Sequence, residues 1–369
     1  MRDFSYCKRV VVKIGTNLLS SPDGVREDFL RKVAEDICVL RARGLQVVVV
    51  TSGAVGMGAK ELGLSGRVSK INMRQACAAI GQPLLMQAYR SVFGKLEVNI
   101  AQLLLTPEVL NNRKSYLTLR DSLETLFSLR VLPIVNENDS VSTSEIGNAF
   151  GENDRLSALV ASKIDADLLI LMTDIDALYD ADPRSTSDAK PLSIVEELTP
   201  EILAAAGSAG SAHSTGGMRT KLDAVKIARR AGCRVVLAHG NTEKVLERII
   251  SGEEIGTLFL ARPRIKNRKR WILYSWPEGY LRIDEGAARA LREHKSLLPK
   301  GLTAVEGSFP AGAVVQINDI AKIISNFSSA ELDKLIGRHS SKITEILGKE
   351  APAVIARPEE TVFLDERDD

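Results

Sequence analysis

Several short runs in this chain are apolar at every position rather than at alternate ones, which limits what it can fold into. Arg9–Ile14 (RVVVKI), Gln46–Thr51 (QVVVVT) and Leu168–Met172 (LLILM) are the clearest. A strand apolar on both sides must be covered on both faces. Val98–Leu104, Val131–Val135 and Arg234–Ala238 are further strand candidates. Helical patterns lie between or after them at Phe29–Arg43, Asn72–Phe93, Arg113–Leu129, Arg155–Ile164, Met218–Ala231 and Glu243–Ile250. The alternation predicts an α/β fold, an αβα sandwich around a mostly parallel sheet.

The pattern changes after Gly256. Arg262–Arg270 (RPRIKNRKR) carries six basic residues and no acid. Beyond it come short runs broken by Gly and Pro, with one helix at Glu285–His294, the pattern of a small β-barrel-like module. We therefore divide the chain into an α/β domain at 1–262, a basic linker at 263–277, a β-rich domain at 278–360 and a charged tail at 361–369, frayed at its end.

Composition narrows the partners. Among 369 residues, 49 Lys and Arg nearly balance 47 Asp and Glu, giving +2. That balance argues against nucleic acid or an acidic membrane surface as the main partner, and the basic run reads as a solvated linker. With aromatics at 5%, a base-stacking platform is disfavoured. Cys7, Cys38, Cys77 and Cys233 form no C-x-x-C pair and suggest no zinc site. No run reaches the length of a membrane span, and the first residues do not read as a signal peptide. The expectation is a cytoplasmic protein with no membrane partner.

The residues just after each strand point to chemistry. Strand one runs into Lys13-Ile-Gly-Thr, strand two into Ser52-Gly-Ala-Val-Gly-Met-Gly, Val131–Val135 into Asn136-Glu-Asn-Asp139, and Leu168–Met172 into Thr173-Asp174. In an open α/β sheet, ligands sit outside the carboxyl ends of the strands. Gly53–Gly58 is neither a P-loop nor G-x-G-x-x-G; it is either a phosphate cradle or a tight strand-to-helix turn. Ser214-Thr-Gly-Gly-Met-Arg-Thr-Lys221 is more informative, because it opens a helix whose free N–H groups and dipole favour an anion. Gly151-Glu-Asn-Asp154 opens another helix, where Asn153 or Asp154 alone would read as a cap. Asn136–Asp139 places polar residues directly after a buried strand, which is costly unless something uses them. The polar stretch Val141–Ala149 reads as a flap. Two lysines, Lys13 and Lys221, suit a transferring phosphoryl group, with Asp154 holding both. None of the four histidines stands out as a general base. An acceptor already ionised at pH 7, such as a carboxylate, needs none. The residues thus suggest a nucleotide-dependent kinase of an acidic small molecule.

At these motifs the chain resembles the glutamate 5-kinases, the branch of the amino acid kinase family that carries a C-terminal PUA domain. The resemblance rests on VVKIGTNLL, VVVVTSGAVGMG, PIVNENDSVS, GENDRLSALVA, LLILMTDIDALYDADPR, STGGMRTKLDAVKIA, GTLFLA, and LRIDEGAARAL with KSLLPKGLTAVEGSFPAGAVVQI and NFSSAEL. It implies an amino acid kinase domain over 1–262 and a PUA domain over 278–360. It implies Lys13, Lys221 and Asp154 as catalytic residues, and Ser52, Gly53, Asp139 and Asn153 at glutamate, with Asp139 facing the α-ammonium. Lys13, Thr173, Asp174, Thr215, Gly216, Gly217, Met218, Arg219, Thr220 and Lys221 would line ATP. The implied reaction is ATP plus L-glutamate giving L-glutamyl 5-phosphate, with Mg²⁺, as the first step of proline biosynthesis. The implied setting is a cytoplasmic homo-oligomer, dimer or tetramer, with proline as feedback inhibitor. The residues that hold Mg²⁺ stay unassigned.

The chain departs from the family at Ala177, where TD-x-x-G-L-Y has Gly; if that position needs a positive φ, the loop is strained. Ala313, Ile323–Phe327 and Ile355–Pro358 also depart and leave the role of the C-terminal domain open. A kinase of acetylglutamate, aspartate or UMP is the competing enzyme reading. Asp139 speaks against an N-acetylated acceptor, which offers no ammonium. The other competitor is an RNA-binding protein using the PUA domain and the run at 262–270.

Overall fold

The computed structural model describes residues 2–21, 24–66, 68–106, 109–110, 112–141, 153–181, 186, 188–205 and 217–364. The chain forms two compact units, Met1–Arg264 and Ile265–Asp369.

The first unit is built on an eight-stranded sheet. Its strands are β1 (Arg9–Ile14), β2 (Gln46–Val50), β3 (Ile100–Leu105), β4 (Leu132–Glu137), β5 (Leu168–Thr173), β6 (Ile194–Val195), β7 (Arg234–His239) and β8 (Thr257–Phe259). They lie in the order β6-β8-β7-β5-β1-β2-β4-β3. Every pairing is parallel except β7 with β8. Central strands carry the unbroken apolar runs: Val10–Val12, Val47–Val50 and Leu168–Met172 are all buried. β3, at the edge, is half exposed and carries an exposed glutamine, Gln102, at its middle. The predicted αβα sandwich stands.

Helices cover the sheet with the faces their spacing dictates. α1 (Glu27–Ala42) buries Phe29, Leu30, Val33, Ala34, Ile37 and Leu40. It begins with two acids, suited to the positive helix end, and Gly44 closes it at φ 86°. α2 (Ala54–Glu61) and α3 (Ile71–Gly94) pack backbone against backbone. A Cβ on Gly58 would lie 1.8 Å from the Cys77 carbonyl oxygen, and one on Gly81 would lie 1.9 Å from that of Ala54. The glycine-rich stretch after β2 is therefore a helix, and Gly58 is spent on helix packing rather than on a phosphate. Gly81→Ala should push α2 off α3 and cost about 1–3 kcal/mol, as overpacking does. A thermal melt within a degree of wild type would contradict this contact.

α4 (Arg113–Ser128) is capped by Asn112, whose side chain accepts from Ser115 N–H at 3.0 Å. α5 (Asp154–Lys163) is buried along nearly its whole length, which its small residues Ser157, Ala158, Ala161 and Ser162 permit. α6 (Met218–Arg230) packs beside it and alternates a buried face with Arg219, Asp223 and Lys226. α7 (Val245–Ile250) starts at Asp36 of α1, whose buried carboxylate accepts from Leu246 N–H at 2.9 Å.

The second unit holds a mixed five-stranded sheet of β9 (Gly279–Ile283), β10 (Leu302–Glu306), β11 (Val314–Ile317), β12 (Ala321–Ile324) and β13 (Thr361–Phe363). The order is β10-β9-β11-β12-β13, with β9 and β11 parallel and the other pairs antiparallel. Leu281, Val315, Ile317, Ile323, Phe327 and Leu332 form its core.

Two expectations need correction here. The run read as a solvated basic linker contains α8 (Asn267–Tyr274), which belongs to this unit. Arg270, Trp271, Ile272 and Leu273 are buried, and the apolar three pack on Val314, Ile324 and Val362. Lys322 ties down the end of α8, donating to the carbonyls of Leu273 at 2.9 Å and Ser275 at 2.7 Å. The charged tail, likewise, begins with strand β13, buried at Thr361 and Val362. The five terminal residues and the flap at 142–149 lie outside the described residues.

Candidate active site

Lys13 lies near the end of β1, paired with Val50 on β2 and Leu171 on β5. Its ammonium meets Asp154, the first residue of α5, at 2.7 Å (Nζ to Oδ1). Lys221, in the first turn of α6, meets the other oxygen of the same carboxylate at 3.3 Å. Thr220 Oγ donates to that oxygen at 3.4 Å. Asp154 is 0% and Lys13 1% exposed. Burial pushes the Asp154 carboxyl up, but Lys13 and Lys221 pull it further down, and it ends below the usual carboxylate range. Two cations thus share one anion in a place with little water. The surplus positive charge lies where the carboxyl ends of the central strands meet the start of α6.

Asn153, the residue before α5, stands in the left-handed region at φ 62°. It occupies the cap position without making a cap hydrogen bond. Its Nδ2 donates instead to the Thr51 carbonyl at 2.5 Å, to Asn136 Oδ1 at 2.7 Å and to Ser52 Oγ at 3.3 Å. The side chain is committed to the end of β2, which decides between cap and site. Ser52 is buried, and Gly53 turns the chain at φ 102° into α2, a conformation that favours glycine. Tyr89 of α3 donates to Thr51 Oγ at 2.9 Å and so fixes the loop from beneath.

Asp139 follows β4 and is half-buried. Burial pushes its carboxyl up, partly offset by Arg74. Among the described residues no hydrogen bond reaches this carboxylate. Such a group is suited to an incoming cation.

Thr173 and Asp174 follow β5. Thr173 Oγ donates to Asp174 Oδ1 at 2.9 Å, and Asn17 Nδ2 donates to Oδ2 at 3.0 Å. Burial raises the Asp174 carboxyl, but these bonds, with Lys221 at longer range, leave it below its ordinary value. Gly217 occupies the cap position of α6 and supplies no capping side chain. Met218 is buried, and Arg219 points to solvent. Thr215 and Gly216 lie outside the described residues. A cleft of about 270 Å³ opens among Asp176, Ala177, Leu192, His239 and Gly256. Ala177 is not among the residues with positive φ, so its side chain brings no strain to the loop.

The structure brings Lys13, Asp154, Lys221, Thr220, Ser52 and Asn153 into one connected cluster, with Asp174 near it through Lys221. Sequence reasoning missed Gln82 and Tyr89, which sit within α3 with no motif around them, and gave no role to Asn17, although it lies in the VVKIGTNLL segment. It also gave no role to His239. That residue ends β7 in register with Thr173, although its ring accepts from Asn241 N–H at 3.1 Å. Among the described residues, no three His, Cys, Asp or Glu side chains cluster as a metal site.

Comparisons with known proteins agree with this geometry. The profile of the amino acid kinase family matches residues 8–239, and that of the PUA domain matches 279–347. The chain is 44% identical over 358 residues to glutamate 5-kinase of Methanosarcina acetivorans, covering 94% of this chain and 93% of that one. To glutamate 5-kinase of Syntrophotalea carbinolica it is 43% identical over 352 residues, covering 93% of this chain and 94% of that one. The enzyme of the same name from Trichormus variabilis is 44% identical over 353 residues, at 92% and 95% coverage. A kinase-family match over more than half of the sequence, and relatives aligned along nearly all of it, place this chain in the glutamate 5-kinase branch of the amino acid kinase family.

Proposed function

We propose that this protein phosphorylates the side-chain carboxylate of L-glutamate with ATP, giving L-glutamyl 5-phosphate and ADP in proline biosynthesis. The observation that carries the reading is the pair of buried lysines sharing Asp154, Lys13 on β1 and Lys221 at the start of α6. Phosphoryl transfer asks mainly for positioning and for cations where charge spreads over the equatorial oxygens. Lys13 and Lys221, fixed by one carboxylate, supply both.

ATP lies with its phosphates over the N-terminus of α6 and between the lysines, and its nucleoside reaches toward the cleft beside Ala177. Thr173, Asp174 and Gly217–Thr220 line it. Mg²⁺ bound with the nucleotide would neutralise phosphate charge. Asp174, ionised and exposed, offers the hard oxygen such an ion prefers. Glutamate occupies the Ser52–Gly53 side, near Asn153 and Asp139. Its γ-carboxylate is ionised at pH 7 and needs no base. In the same reading the protein is a cytoplasmic homo-oligomer, and proline acts as its feedback inhibitor.

Asp139 gives this reading a pH signature. Its ionised form is the one that binds an ammonium, and burial holds its folded pKa above the ordinary 3.8. Lowering the pH should therefore raise the glutamate KM earlier than an ordinary aspartate would. Asp139→Asn should raise that KM roughly tenfold to a hundredfold at pH 7, the range for a hydrogen-bonded charge, and flatten its acid rise. A variant with wild-type KM across the profile would remove Asp139 from the acceptor site.

ADP release measured with L-glutamate, N-acetylglutamate, L-aspartate and UMP tests the acceptor. Glutamate alone should support turnover. Faster turnover with any of the others would overturn the substrate while leaving the nucleotide site in place.

A further inference from the structure

Gln82 follows the glycine that seats α3 against α2, far in sequence from every loop at the site. It is 9% exposed. Its carboxamide oxygen accepts from Asn136 Nδ2 at 2.8 Å. The Asn136 oxygen in turn accepts from Asn153 Nδ2 at 2.7 Å and from Glu137 N–H at 2.9 Å. Asn153 Nδ2 also reaches the Thr51 carbonyl and Ser52 Oγ. The chain of amides has one consistent direction. Turning over any single member would set NH₂ against NH₂ or oxygen against oxygen.

The two ends of this chain are unlike. At the buried end, Gln82 Nε2 has no hydrogen-bond partner among the described residues. At the other end, no described residue uses the Asn153 carboxamide oxygen. Leaving a buried donor unpaired opposes folding. What Gln82 contributes is therefore its oxygen, which holds the Asn136 amide from behind.

We infer that Gln82 is a specificity-determining positioning residue for the acceptor. Together with the Thr51 carbonyl, which also takes the Asn153 NH₂, it steadies through Asn136 the carboxamide whose oxygen faces the ammonium of the amino acid. This rests on the acceptor reading above. An ammonium is donor-only, so it needs acceptors around it. Asp139 supplies charge, and the Asn153 oxygen supplies direction. Without the Gln82 oxygen, the Asn136 amide is held by Glu137 N–H and Asn153 alone, and the Asn153 carboxamide, still donating to Thr51 and Ser52, aims its oxygen less firmly at the ammonium.

The test uses the full chain with Gln82→Met, which keeps the length and removes both the oxygen and the unpartnered NH₂. The readouts are kcat, the KM values for glutamate and ATP, the melting temperature, and turnover of glutarate, which matches glutamate without its ammonium. The glutamate KM should rise about tenfold or more, the size of one lost hydrogen bond to a charged group. The ATP KM should stay within about twofold and kcat within about threefold, the pattern of lost ground-state binding. The preference for glutamate over glutarate should fall by the same factor as the KM rises. Gln82→Glu, which keeps an oxygen for Asn136, should recover most of the loss. If the Met variant does not fold, Gln82→Leu reads the same split.

An unchanged glutamate KM and preference overturns the inference. So does a loss shared equally by ATP and glutamate with a lowered melting temperature, the mark of a merely structural residue. Wild-type protein inactive on glutamate removes the acceptor reading, and this inference with it. Wild-type activity with an unaffected Met variant removes the inference alone.

Discussion

Lys221→Ala should lower kcat by roughly a hundredfold to a thousandfold or more, the loss typical of removing one preorganised charge-stabilising donor. The lysine stands in the first turn of α6, and its ammonium is held 3.3 Å from Asp154. Its charge matters most when charge spreads over the transferring phosphoryl oxygens. The glutamate KM should therefore move only a few-fold, because ground-state binding of the acceptor does not use this group. Stability should change little, since Asp154 keeps Lys13 at 2.7 Å. Steady-state kinetics and a melting curve on one preparation separate these effects. A near-normal kcat would remove the phosphoryl role from the TGGMRTK segment.

Asp154→Ala should be the most damaging substitution for folding. Among the described residues, Asp154 is the ionic partner of Lys13, whose side chain is 1% exposed. Removing it strands a buried ammonium, which costs about 3–5 kcal/mol. At about 2–4 °C per kcal/mol, the melting temperature should drop by roughly 6–20 °C. The same interaction has a pH signature. The folded carboxyl lies below its unfolded value of 3.8. Its stabilisation is therefore complete above about that pH and is lost as the pH falls through the lower folded value. Wild type should lose this increment only in strong acid, whereas the variant lacks it throughout. Activity should vanish as well, because both lysines lose the group that aims them. An unchanged melting temperature would show that Lys13 is not buried as described.

Much of this was legible in the sequence, for physical reasons that differ from element to element. β1, β2 and β5 announce themselves because strands covered on both faces leave polar residues only near their ends. Lys13, Asp154 and Lys221 stand out because charge beside glycine at an element's end is costly unless used. α2 was hidden because Gly56 and Gly58 each cost a helix about 1 kcal/mol against alanine. What offsets that cost is the close approach of α3 at Cys77 and Gly81, a tertiary contact with no local trace. α8 was hidden by its charge, since six basic residues precede and overlap the apolar Trp271–Leu273 that docks it. β13 has only three residues, too few for a period. Gln82 and Tyr89 sit on a helix among apolar neighbours. There, a buried polar side chain that only satisfies itself looks the same as one that orients a site.

Trapping the product with hydroxylamine is the most direct measurement. Protein, Mg·ATP, L-glutamate and hydroxylamine are incubated, and γ-glutamyl hydroxamate and ADP are quantified together. An acyl phosphate reacts with hydroxylamine, whereas a phosphate ester does not. The expected result is hydroxamate in step with ADP, from glutamate and not from N-acetylglutamate, and none above background with Lys221→Ala. ADP formed without hydroxamate would contradict phosphoryl transfer to a carboxylate.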